Sequence, residues 1–251
     1  MKEKILILVR AMPEENRKHA HNVCVAGINE RGEWRRLYPF QFIYGKKDID
    51  FKKKDLIEAE LAEPTNDKRN ESRRVKSHKN LHQPVEDREI LKVIRPHISS
   101  IKELENNKAS LGVIKPEIID FEVEVFNANV YDEQKYISLW TEEFVETREK
   151  VKLPLEARYI FKCQKASCTC SKKPHRIKII DWELNELARN IMKTEKDKKV
   201  IEEKIKKKFF DWMKTREVYL FLGTHFRFKT WLIVGIFYPD KETASQSTLR
   251  F

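Results

Sequence analysis

The segment CQKASCTCSKKPH, Cys163 to His175, holds three of the four cysteines of the chain and one of its seven histidines. Its spacing is Cys163-x4-Cys168-x-Cys170-x4-His175. Thiolates and an imidazole are borderline-soft donors, and four of them match the tetrahedral shell of Zn2+. Donors so close in sequence converge on one point only if the chain doubles back. RYIFKC (158–163) and RIKIIDW (176–182) are therefore predicted as two strands flanking the cluster. The pattern lacks the C-x2-C pairing of common zinc fingers and matches no standard one. Four protein ligands fill the shell and leave no position for water, so the expected site is a structural Zn2+ site; loss of one ligand would open a position for hydrolysis. An iron–sulfur cluster is the alternative occupant. Lys162, Lys165, Lys172 and Lys173 surround the cluster, and their charge favours the thiolate form.

A metal clamp needs a protein around it. The 251 residues suit one large domain or two small ones, and the 40% hydrophobic content recurs in segments along the whole length, as in a globular protein. Three cysteines crowded together and a fourth, Cys24, far away do not form a disulfide framework, which fits a reducing cytoplasm. The apolar run near the start is too short for a secretory leader or a membrane span, so no membrane partner is expected. Glycine is scarce, at six residues, and neither G-x-G-x-x-G nor G-x-x-x-x-G-K-[ST] occurs, which argues against nucleotide-binding folds built on those loops. Serine-nucleophile elbows are absent too.

The alternation of residue types predicts the elements. KILILV (4–9) reads as a buried strand. NVCVAGI (22–28) and EWRRLYPF (33–40) form a hairpin across a turn in which Gly32 takes positive φ. KDLIEAELAEP (54–64) and EIIDFEVEVF (117–126) alternate as half-exposed strands. Residues 65–88, rich in charge, read as a loop or arm. Ser99 or Ser100 caps a short helix, with Glu103 as the capping-box partner if Ser100 is the cap, and Gly112 is available to close it. A further helix is expected over 141–150. Asp181 caps a helix over 183–193, and Thr194 with Asp197 resembles the cap of a second, with Ile201, Ile205, Phe209, Trp212 and Met213 on one stripe and lysines opposite. EVYLFLG (217–223) and TWLIVGIFYP (230–239) make a last hairpin, apolar enough to be buried on both faces. The expected fold class is α+β: a β-rich, small barrel-like N-terminal part, the zinc-type hairpin, two helices and the apolar C-terminal hairpin. The expected boundary divides 1–98 from 99–251.

Lysine plus arginine exceed aspartate plus glutamate by 51 − 40 = 11. A field of that sign in a small protein selects polyanions, and nucleic acid is the commonest. Guanidinium groups contact phosphate, and aromatic faces stack on unpaired bases. Interleaved cations and aromatics occur at Trp34-Arg35-Arg36-Leu37-Tyr38 and His225-Phe226-Arg227-Phe228-Lys229. With Arg69, Arg73 and Arg74 of the charged segment, Arg35, Arg36, Arg227 and Lys229 are the predicted nucleic-acid contacts; the lysine face of 196–208 would add more. The sequence does not separate DNA from RNA. Asp181, Glu183 and Glu186 are candidate catalytic carboxylates for a divalent-metal nuclease or nucleotide hydrolase. The competing role is helix capping, since acids in a first turn favour the dipole. His19 with His21 and His78 with His82 could each bind metal, but without fixed partners such pairs carry no assignment. Cys24, inside an apolar strand, reads as a small hydrophobe.

CVAGINERGEWRRLYPF (24–40), followed by the DLIEAELAEP strand (55–64), resembles the opening of the dual-OB-type domains of prokaryotic conflict and defence systems. There too a Cys-x-Ala-Gly strand leads through a turn to a tryptophan and an arginine. The resemblance covers about a quarter of the chain and carries no catalytic residue across. It implies a small nucleic-acid-binding β-barrel and a place in defence or DNA processing. The expectations are thus a cytoplasmic, zinc-stabilised nucleic-acid-binding protein, with a metal-dependent nuclease or a protein-interaction scaffold as the alternatives.

Overall fold

The computed structural model describes residues 1–12, 23–40, 49–64, 67–126, 155–168, 170, 172–225 and 228–246. The helix expected over 141–150 lies outside the described residues, as do His19 and His21.

Strands β1 (Lys2–Arg10), β2 (Val25–Asn29), β3 (Trp34–Tyr38), β4 (Asp55–Ala62) and β5 (Ser72–Pro84) close into a barrel in the order β1-β2-β3-β5-β4. Neighbours run antiparallel except β3 and β5, which pair in parallel. A closed five-stranded barrel of this kind is compatible with an OB-like fold. Ile5, Ile7, Val25, Leu37, Ile57, Ala59 and Leu61 point inward and fill it together with Phe40 and Phe51. At one end the filling turns ionic: buried Glu3 accepts from Arg35 Nε at 2.7 Å and from Asn29 Nδ2 at 2.9 Å. Gly32 takes φ of 77°, and the β2–β3 hairpin forms where the Gly-containing turn predicts it.

The strands β1 to β3 are apolar on their outer side as well. Leu6, Leu8, Ala26, Ile28 and Trp34 pack against Ile90, Leu91 and Ile94 of helix α1 (Asp87–Ile94) and against Val113, Phe221 and Val234. The last three belong to a three-stranded sheet of β6 (Leu111–Ile114), β10 (Tyr219–Thr224) and β11 (Trp231–Phe237), in the order β11-β10-β6. Burial on two sides explains why KILILV and the C-terminal hairpin read as continuous apolar runs.

A second three-stranded sheet holds β7 (Pro116–Val125), β8 (Leu155–Cys163) and β9 (His175–Lys178). A single bridge, Ile179 to Ile233, joins it to β11. Helices α3 (Trp182–Thr194) and α4 (Lys198–Lys206) cover it, and α4 runs on through a π-helical turn (Lys207–Trp212) and a 3-10 turn (Met213–Thr215). Ile201, Ile205, Phe209 and Met213 pack on Phe121, Tyr159 and Phe161 in the largest core. Helices α2 (Ile101–Asn106) and α5 (Lys241–Gln246) are short. No helix of the described residues is long and apolar enough to cross a membrane. The architecture is the mixed α+β one that the patterning predicts, with the barrel first and the Cys/His cluster in the later half.

Three local expectations change. The charged segment expected as a loop contains β5, thirteen residues long and hydrogen-bonded on both sides. Its solvent face carries so many charges that the inward Ser72, Val75 and Asn80 leave no apolar alternation to read. Gly112 does not close α2. That helix ends at Asn107, with Lys108 taking positive φ, and Gly112 lies within β6 where a Cβ would meet Leu104. Trp212 is only half-buried and sits at the edge of the core rather than in it.

Candidate metal centre

Cys163 closes β8 and His175 opens β9, so the cluster sits at the turn between paired strands; Phe161 is opposite His175 in the ladder. The ligand atoms of Cys163, Cys168, Cys170 and His175 all lie within 4.8 Å of one another. Cys168 Sγ is 3.1 Å from His175 Nε2, which marks that ring nitrogen as the facing donor. A tetrahedral zinc shell with bonds of about 2.0–2.3 Å requires donors roughly 3.5–3.8 Å apart, so the grouping fits a metal of that size with little contraction.

The surroundings suit thiolates. Cys163 N–H donates to Cys170 Sγ at 3.2 Å. The backbone of Ile101 hydrogen-bonds to Cys163, and that of Lys102 to Cys168. Both residues form the first turn of α2, and that turn is held by the Ser100–Glu103 capping box the sequence predicts. Ser100 Oγ also meets Ser167 Oγ at 2.9 Å, and Ser167 Oγ donates to Glu103 at 3.0 Å. The cluster loop and the helix start therefore fix each other. Such outer partners orient a metal ligand set and tune it. Burial pushes the Cys163 thiol up to about 12. Burial also works on Cys168, but hydrogen bonds from the Cys170 backbone and the neighbouring thiols outweigh it and leave that thiol below its ordinary value. Burial lowers His175, which favours the neutral imidazole that a metal needs. A metal ion binds the deprotonated thiols and the neutral imidazole, so binding would release protons here.

The acidic candidates have other work. Asp181 is fully buried and is the N-cap of α3, accepting from Glu183 N–H at 2.8 Å. Its other oxygen accepts from Ile236 N–H at 3.0 Å and from Lys53 Nζ at 3.0 Å. Lys53 also pairs with Glu183 at 2.9 Å, and Tyr238 OH donates to Glu183 at 2.8 Å. Burial opposes the Lys53 charge, but the pull of Asp181 and Glu183 outweighs it and holds Lys53 above the lysine range. Glu186 accepts from Arg189. An ammonium thus stands where a divalent ion would be needed, and the three carboxylates do not converge on an open site. Nothing in the sequence pointed to Lys53, which comes from the β3–β4 connection.

The predicted nucleic-acid contacts divide sharply. Arg35 and Arg36 are each only 5% exposed, a correction to their expected role. Arg35 is the barrel-end partner of Glu3 and Glu33, and Arg36 donates to Ser110 O at 2.8 Å; alternation along β3 turns one into the barrel and the other onto the second half. Arg69 pairs with Asp67 and donates to Thr224 O at 3.0 Å, which sets the β4–β5 loop beside the β10–β11 turn. Arg73 is half-buried and donates to Asn70 O and Ser72 O. Arg74 is exposed on β5, as are Lys76 and Lys79. Across Thr224, Phe228 is 68% exposed and stacks on His225 at 4.8 Å, with Lys229 exposed next to it. Phe226 and Arg227 lie outside the described residues. Between loop and sheet runs an open cleft of about 270 Å³, lined by Trp34, Asn70, Asn107 and Lys108 among others.

The five-stranded barrel and the Cys3His hairpin define a mixed α+β protein. Residues 95–250, more than half of the chain, match the family described as Domain of unknown function (DUF8757), and the chain belongs to that family. Residues 1–103 match a second, Domain of unknown function (DUF8758). No curated protein matches the chain.

Proposed function

We propose that this protein binds nucleic acid, DNA or RNA, and that a structural Zn2+ held by Cys163, Cys168, Cys170 and His175 fixes its second half. The observation that carries the reading is the Arg69–Thr224 contact. It places the β4–β5 loop, and with it the start of β5, whose exposed face carries Arg74, Lys76 and Lys79, beside the turn that bears exposed Phe228 and Lys229. Cations with an exposed aromatic suit a phosphate backbone with an unpaired base. The reading takes 1–98 as the barrel unit and 99–251 as the metal-bearing unit, acting in the cytoplasm as a component of prokaryotic defence or DNA processing. Zn2+ suits a closed set of three thiolates and an imidazole, and when bound it would supply cross-linking rather than chemistry. Against the nuclease alternative, Lys53 pairs with Asp181 and Glu183, and Glu186 pairs with Arg189; no single observation favours the scaffold.

The test is fluorescence anisotropy of labelled single strands, duplexes and RNA between 50 and 200 mM salt. A protein neutralising six or more phosphates loses about a thousandfold in affinity over that range. Absence of binding at low salt, or binding indifferent to salt, contradicts the reading. A Mg2+ or Mn2+ arm scored for cleavage distinguishes the enzyme.

A further inference from the structure

A second cationic surface lies at the other end of the β10–β11 hairpin, on the π-helical and 3-10 turns after α4. Six side chains stand there in two columns at four-residue spacing. In one, Lys206 and Lys214 share the ring of Phe210, with their ammonium groups 5.5 and 3.8 Å from its centroid. In the other, Lys208 lies 3.1 Å and the Arg216 guanidinium 4.5 Å from the centroid of Trp212. Residues at i and i+4 share a face in an α-helix; the wider π-helical turn with its 3-10 continuation keeps these columns side by side.

Their charge is compensated only in part. Arg216 pairs with Asp240, and Lys206 lies 4.0 Å from Asp120. Lys208 and Lys214 make no ion pair within 4 Å among the described residues, although Glu183, itself paired with Lys53, still acts on Lys208 from further off. An aromatic face holds an ammonium by its quadrupole without neutralising it. The rings therefore fix these cations in place, losing less side-chain freedom on binding, while leaving each able to meet an anion. Lys208 is the most constrained: burial, with Arg216 beside it, holds it below the lysine range, so a bound anion relieves an existing cost.

From this geometry we infer that the Lys206–Arg216 surface is a phosphodiester-backbone site, a contact patch for nucleic acid separate from the β4–β5 loop and the Phe228 turn. The inference rests on the nucleic-acid reading. Because Phe210 and Trp212 already carry the protein's own cations, no base stacks there. Contact at this surface is with phosphate alone and is indifferent to base identity.

The experiment compares Lys208→Gln/Lys214→Gln with an equal charge change on β1, Lys2→Gln/Lys4→Gln, in the full chain. Glutamine keeps much of the aliphatic stem on the rings, and far-UV circular dichroism with the thermal midpoint checks folding. Anisotropy is read with mixed-sequence, oligo-dT and oligo-dA strands across a salt series. The expected result is a fall in affinity of about tenfold or more and a salt slope smaller by about two for the 208/214 variant on all three strands. Lys208→Arg/Lys214→Arg, which keeps the charge, restores both. An unchanged slope in a folded 208/214 variant, or an equal loss in the β1 control, overturns the placement while the nucleic-acid reading stands. Failure of the wild-type protein to bind any strand at low salt overturns both.

Discussion

Lys53 and Asp181 stand 128 positions apart in sequence and 3.0 Å apart in space. The contact fastens the barrel to the metal-bearing half through a pair withdrawn from solvent. Removing one partner of a buried pair leaves the other charge unsatisfied, at a cost of about 3–5 kcal/mol. Lys53→Met is therefore expected to lower the unfolding free energy from denaturant titration by an amount in that range; a loss under 1 kcal/mol would mean Asp181 is held by its backbone partners alone. Glu3 gives the pH counterpart. Burial pushes its carboxyl up, but Arg35 and Asn29 outweigh burial and leave it below the ordinary range. A depressed carboxyl stabilises the fold above its unfolded value of about 4.5 and loses that contribution as pH falls through the folded value. Glu3→Gln should lower stability at pH 7 and flatten the acid limb between pH 5 and 2 in pH-dependent thermal melts. The chemistry of individual residues was legible where partners are near in sequence: the four metal donors, the Ser100 box, the Asp181 cap. It was illegible where partners are remote, as with Lys53, or where strand alternation decides orientation, as with Arg35 and Arg36.

Element by element, the apolar strands were readable because burial imposes a pattern, and β5 was not because pairing with β3 and β4, rather than its own composition, makes it a strand. The same closure leaves no room at Gly27. A Cβ there would lie 2.1 Å from the Leu6 carbonyl oxygen and 2.8 Å from Ile5 Cγ2. Both are on the neighbouring strand, and one is backbone, which cannot turn aside. Gly27→Ala should cost about 3 kcal/mol or more by overpacking. A melt within 2 °C of wild type would show that β1 and β2 are looser than this register requires. The outward faces of β1 to β3 are covered by the second half, so the barrel's accessible chemistry falls on β5, on the β4–β5 loop and on what packs beside them. That distribution, not the WRRLY run, explains where cations remain available.

For the molecule as a whole, the net charge is +11, and ion pairing decides which part of that charge is free to act. Much of it is consumed internally. Exposed cations remain on β5, beside the Phe228 turn and on the turns after α4, among other places. The Cys3His group lies between β8, β9 and the start of α2, and the proposal that a metal fills and closes this shell is the claim on which the rest stands. X-ray absorption at the zinc edge of freshly purified, folded protein tests it most directly. The account predicts one zinc per chain with three sulfurs at about 2.3 Å and one nitrogen at about 2.0 Å, and no oxygen neighbour. A folded protein without metal, or a shell containing water oxygen in place of one of the four ligands, would contradict it.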